Sequence, residues 1–376
     1  MLKNLQTRIK PPRALKPALW VVFLIGLLGL SSCGSGLNAG RNTPQSNPGY
    51  LISGLNETGN FANNGLLTFS PNTFSKIKVL PLPKSAIQAA NIAPDGNLWI
   101  GLSGGSTWDD DRVIVLDKTG KQLSEIHACL YPTAGIWFYG HKALVVCRDT
   151  GFKGTIAQID LSSFSVEKTL EIKISDQQSF MAISSGLFNS TLGVVGLTTG
   201  PNQSLAYSML TLVDLDTFSI SGMIPLGAGT NIWSVLPYAG NFYLLNAQGK
   251  DDPERADLIV VSPTGQKVLD SIPFPTPSPL WGVISGKTLY SFHNAAWNST
   301  SMSPERFLCK TDLITYKQAC LALPDDFAAF SIEMVGGNPC IAQWGNDQPG
   351  GLSCLENGKL NLKLAYENAS LIVVKK

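Results

Sequence analysis

Four stretches of the chain repeat one pattern: an alternating apolar run, a short polar turn and a second alternating run. They are RVIVLDKTGKQLSEI from Arg112, TIAQIDLSSFSVEKTLEI from Thr155, LTLVDLDTFSISGMIPL from Leu210 and LIVVSPTGQKVLDSIPF from Leu258. Alternation with a period of two on both sides of a turn marks an antiparallel hairpin. The segments NIAPDGNLWIGL, GIWFYGHKALVV, NIWSVLPYAGNFYLL and LWGVISGKTLYSF each supply a further strand pair around a tight turn. Helical periodicity is nearly absent beyond residue 50. The hairpins start roughly 43 to 55 residues apart, so the recurring unit is four strands.

Four strands at that interval are the blade of a β-propeller. The register places blades at about residues 86–127, 130–173, 178–226, 230–274, 277–323 and 327–366. The stretch from Tyr50 to Leu80 holds only three strands, and SLIVVKK from Ser370 is a lone strand. An open ring would expose two sheet edges. The lone strand is therefore expected to become the innermost strand of the blade begun at Tyr50. The expected fold is all-β, a closed seven-bladed propeller over residues 50–376.

The first 32 residues read differently. Lys3, Arg8, Lys10, Arg13 and Lys16 stand without an acidic residue before the apolar run ALWVVFLIGLLGL from Ala18 to Leu30. This is a charged n-region followed by a hydrophobic h-region. The run is shorter than the roughly 18 to 20 residues that a permanent span requires. Residues 1–32 are expected to be a cleaved signal, and Leu30-Ser31-Ser32-Cys33 resembles the lipobox of bacterial lipoproteins. That resemblance implies cleavage before Cys33 and a lipid (diacylglyceryl, palmitate) on its sulfur, hence an extracytoplasmic address in the cell envelope. Gly34 follows the cysteine instead of the Asp that favours inner-membrane retention in Gram-negative cells, which leaves an outer-membrane address open. Residues 33–49, rich in Gly, Asn, Ser and Pro, read as a flexible stalk.

Removing residues 1–32 moves the formal charge from +1 to about −4. Such a surface is a poor phosphate binder, so nucleic acid is not an expected partner. Six cysteines follow Cys33: Cys129, Cys147, Cys309, Cys320, Cys340 and Cys354. An even count in an exported chain points to disulfides. Fifteen pairings are open in principle; spacing favours sequential neighbours, since each such pair flanks one hairpin, with buried free thiols as the alternative.

Catalytic signatures are sparse. His127, His141 and His293 are the three histidines, none at a metal-ligand spacing, and His141 reads as a solvated turn residue. There is no nucleophile elbow, no P-loop and no dinucleotide glycine pattern; no metal and no cofactor are expected. Asp109-Asp110-Asp111 and Asp251-Asp252 occupy matching loops between second and third strands. They lack the spacing of a calcium loop and read as solvated acidic loops. Trp137, Trp233 and Trp281 fall at matching places near the start of the innermost strand of three blades. Three indoles around one channel opening could stack on a ring or side chain; packing between blades is the plainer reading.

The Val-Asp-Leu-Asp-Thr-Phe run from Val213 to Phe218 resembles blade ends of the extracytoplasmic YVTN, NHL and quinoprotein-like propellers. APDGNLWIGLSGG from Ala93 to Gly105 is similar to the propeller repeat of sensor ectodomains. These resemblances imply a fold, and propellers host many functions. The expected function is non-catalytic binding of a protein, glycan or small ligand through the loop face by a membrane-tethered chain. The alternatives are a propeller enzyme, either a streptogramin-lyase-like lyase or hydrolase or a quinoprotein-like oxidoreductase, and a scaffold subunit of an envelope assembly. The lyase alternative would be accompanied by several PDGNLWIGL repeats and a histidine at the channel mouth.

Overall fold

The computed structural model describes residues 47–375, apart from 55–63, 105–108, 149–152, 176–177, 200–204, 248–255, 295–304, 325–326 and 345–349. The signal, Cys33, most of the stalk and Asp251-Asp252 lie outside the described residues. Within them stand 28 strands in seven four-stranded antiparallel sheets. Each sheet is one blade, and six of the seven run outward in chain order. Blade 2 is β4 (Ile87–Ile92), β5 (Leu98–Leu102), β6 (Arg112–Leu116) and β7 (Gln122–His127). Blade 3 comprises β8 (Gly135–Tyr139), β9 (Lys142–Cys147), β10 (Gly154–Asp160) and β11 (Val166–Ile172). Blade 4 begins with β12 (Ser179–Phe188), blade 5 with β16 (Ile232–Tyr238), blade 6 with β20 (Pro279–Ser285) and blade 7 with β24 (Ala328–Val335). All six full blades fall within the ranges read from the repeat, give or take two residues.

Blade 1 closes the ring as the lone strand suggested. Its order is β28 (Ala369–Val373), β1 (Gly49–Ser53), β2 (Gly65–Phe69) and β3 (Lys76–Pro81). Tyr50 pairs with Val373 and Ile52 with Leu371. The Ser370 hydroxyl donates to the Ile52 carbonyl (3.1 Å) and accepts from the Gly54 N–H (3.2 Å). First and last strands are thus joined by side chain as well as ladder.

Burial explains the sequence gradient across a blade. The second strands are apolar on both faces, as in LWIGL of β5 and ALVVC of β9, and are almost wholly buried. Such runs belong to strands covered on both sides. Outermost strands such as VEKTLEI of β11 are largely exposed, and their charges discourage pairing along that edge. The apolar residues form seven clusters, one at each blade-to-blade interface. The core is therefore a ring of interfaces.

The turn between third and fourth strands locks these interfaces. Asp160, Asp214 and Asp312 each cap the turn by accepting backbone N–H bonds two and three residues ahead. Those bonds hold all three carboxyls below the ordinary range, led for Asp160 by the Ser162 hydroxyl and for Asp214 and Asp312 by the N–H of Thr217 and Thr315. The aromatic residue that follows, Phe164, Phe218 or Tyr316, takes φ of +55°, +49° and +55°, and Phe74 in blade 1 does the same at +55°. A positive φ is uncommon for a bulky side chain. Here it turns the ring onto the preceding blade: Phe164 lies 5.9 Å from Trp99 of blade 2.

The six cysteines form Cys129–Cys147, Cys309–Cys320 and Cys340–Cys354, the sequential pairing that spacing favoured. Cys309 and Cys320 face each other across one ladder, as do Cys340 and Cys354.

Candidate functional site

The innermost strands line the channel, and a recurring irregularity decides what they present to it. In six blades the register with the second strand skips one residue in the first half of the inner strand: Gln88, Ile183, Trp233, Leu280, Phe330 and Ser370. A bulge of this kind bends the strand and re-aims a side chain. Gln88, Ile183, Trp233 and Phe330, together with Trp281 beside the bulge at Leu280, line a cavity of about 400 Å³ at the channel mouth. That mouth lies on the face where the inner strands begin.

Trp233 and Trp281 meet there edge to face, with ring centroids 5.8 Å apart at 84°, a favoured aromatic arrangement. Trp281 also packs against the blade 6–7 cluster. Trp137 is placed elsewhere, so the three indoles do not surround one opening. Its indole N–H donates to the Ser185 hydroxyl of blade 4 at 2.8 Å, and that hydroxyl donates to the Ala134 carbonyl at 2.6 Å. Its ring packs at the blade 3–4 interface and borders a second cavity, of about 740 Å³, further along the channel. Ser234 and Gly282 line both cavities. Glu333 and Lys375 border the second.

Arg148, which the repeat did not single out, also lines the mouth. It follows β9, its backbone N–H donates to the Tyr131 carbonyl at 3.0 Å, and its side chain is partly buried. Burial pulls its guanidinium below the ordinary value, with Tyr131 opposing. A basic residue just after a second strand is its sole trace in the sequence, and it gains meaning only once the ring is closed.

The acidic loop departs from the solvated reading. Asp110 accepts from Arg112 through both oxygens at 2.8 Å and from the Ser85 hydroxyl at 3.1 Å, and its side chain is only 9% exposed. Burial alone would raise its carboxyl, but those contacts hold it below the ordinary range. Asp111 pairs with the Nδ1 of the exposed His127 at 2.8 Å. These contacts tie the loop to its own blade. His141 is exposed in its turn. Among the described residues no group of three His, Cys, Asp or Glu is placed to hold a metal ion.

No family model and no curated protein matches the sequence. Solved structures do match in shape. A hydrazine synthase chain from Kuenenia stuttgartiensis superimposes with a TM-score of 0.63 at 13% identity, over 86% of this chain and 99% of that one. A dihydro-heme d1 dehydrogenase gives 0.56 at 14% identity, over 90% and 77%. A 6-phosphogluconolactonase-like protein of Bacteroides uniformis gives 0.61 at 10% identity, over 87% and 99%. All are similar to this chain in fold, and identities this low carry nothing beyond the fold.

Proposed function

We propose that the chain is an envelope-anchored binding module, held to a membrane by lipid on Cys33 and taking its ligand at the channel mouth beside Trp233 and Trp281. The observation that carries this reading is the mouth cavity itself. Ligand sites in proteins are typically concave and mostly apolar, with a few placed polar groups. The mouth cavity combines the indole pair and Phe330 with Gln88, Thr133, Ser234 and Arg148. An enzymatic reading would rest on the names of fold neighbours alone. The stalk of residues 33–49 supports a tether, since its Gly, Ser and Asn content suits a flexible spacer.

Native mass spectrometry of the full chain, extracted gently from its own envelope, tests the reading. The wild type is expected to carry a bound mass that a Trp233→Ala, Trp281→Ala variant, still folded with a cooperative melt, has lost. An adduct that persists in that variant places binding elsewhere and sinks the proposal.

A further inference from the structure

Among the described residues lining the mouth cavity, Arg148 is the one formally charged side chain. Its electrostatic neighbour is the Tyr131 phenol, and no carboxylate among the described residues pairs with it. The arginine of the acidic loop is placed differently. Arg112 has Asp110 at 2.8 Å and Glu125 at 3.5 Å on its guanidinium. A guanidinium does not shed its proton in proteins, and taking an ion out of water without a counter-charge is costly. A neutral side chain in its place would avoid that cost. The cavity therefore holds a positive group whose partner the described chain does not supply.

The opposite wall is chemically distinct. Blades 5 and 6 present the edge-to-face pair of Trp233 and Trp281, and blade 7 adds Phe330. Arg148 stands two blades away from Trp233 around the ring, with Ala182 and Ile183 of blade 4 between them. A molecule that fills the cavity thus meets a cation on one wall and aromatic rings on the other. At about 400 Å³ the space lies in the range of small-molecule sites.

We infer that the ligand of this cavity is a small organic acid whose carboxylate pairs with Arg148 and whose flat apolar body lies against Trp233 and Trp281. This deepens the binding reading above and rests on it. Arginine meets a carboxylate through two parallel N–H bonds. A neutral molecule of the same shape would leave the cation unpaired, so charge is expected to govern selection. The indoles would add affinity for any flat apolar body, charged or not.

Equilibrium dialysis of the full chain in detergent, with trans-cinnamate, trans-cinnamamide and acetate as probes, separates these terms. Cinnamate is expected to bind at least about tenfold more tightly than the amide, and acetate, which lacks the apolar body, more weakly than either. Arg148→Gln should abolish the preference for the acid while leaving amide binding in place, and Arg148→Lys should restore part of it. Trp233→Leu with Trp281→Leu should weaken acid and amide alike. Because no carboxylate among the described residues pairs with the guanidinium, Arg148→Gln is also expected to raise the thermal midpoint of the free protein. Equal binding of acid and amide to the wild type, or an acid preference that survives Arg148→Gln, overturns the inference. If both probes bind equally and both weaken in the tryptophan variant, the binding reading stands and only the ligand class is wrong. If neither probe binds and native mass spectrometry finds no adduct, both fail.

Discussion

His293 has no access to solvent, and its ring nitrogens face two hydroxyls: Nδ1 lies 2.9 Å from Thr276 Oγ1 and Nε2 2.8 Å from Ser291 Oγ. Burial pushes its pKa down to about 3. The folded value lies below the unfolded one near 6.5, so the unfolded chain takes up the proton first on acidification. The stability this neutral histidine contributes is complete above about pH 6.5 and is lost as pH falls through about 3. Its full loss amounts to a few kcal/mol, because each tenfold difference in proton affinity between the two states is worth about 1.4 kcal/mol. His293→Gln is expected to flatten the acid limb of stability against pH between about 6.5 and 4.5; an unchanged slope there would place the acid sensitivity in the carboxylates. Cys33 gives a second residue-scale prediction. Cys33→Ser is expected to abolish palmitate incorporation and to leave the signal uncleaved, and a lipid-labelled serine variant would refute the anchor. Residue-scale legibility was uneven for a physical reason. The repeat places Trp137, Trp233 and Trp281 alike, and what separates Trp137 is the Ser185 hydroxyl from the next blade, a contact across some fifty residues that no local pattern encodes. Arg148 was invisible because a basic residue after a strand looks solvated until the ring encloses it.

At the scale of elements, alternation and turn chemistry were enough to place most strands. The turn after β10 states the logic: Asp160 caps it, and Phe164 at φ +55° turns its ring toward Trp99 of the preceding blade. Phe164→Ala keeps the backbone and removes that inter-blade contact. It is expected to destabilise the protein by about 2 to 3 kcal/mol, somewhat below the range for a fully buried phenylalanine because Phe164 is only partly buried. Denaturant unfolding measures this, and a loss under about 0.5 kcal/mol, the scale of a surface substitution, would show that the ring does not hold the interface. The inner-strand bulges were not legible. One extra residue in a strand has no compositional signature, yet it brings Gln88, Trp233 and Phe330 to the mouth. The repeat consequently located the wall of the site without revealing how it is aimed.

For the whole molecule, closure is the decisive contact. β28 buries Ala369, Ile372 and Val373 and covers the inner edge of β1. Deleting residues 369–376 exposes that edge, a template for pairing with other chains. The truncated chain is expected to lose its cooperative melt and to associate in size-exclusion chromatography. A monomer with the wild-type midpoint would mean that the ring holds without its last strand. Ring closure also creates the channel, and with it the cavity on which the functional account depends. Hydrogen exchange of the full chain, with and without an extract of its own envelope, tests that account most directly. Slower exchange is expected in β16 and β20 and at Arg148, with the outermost strands unchanged. Protection confined to the outer strands, with none at the channel mouth, would contradict it.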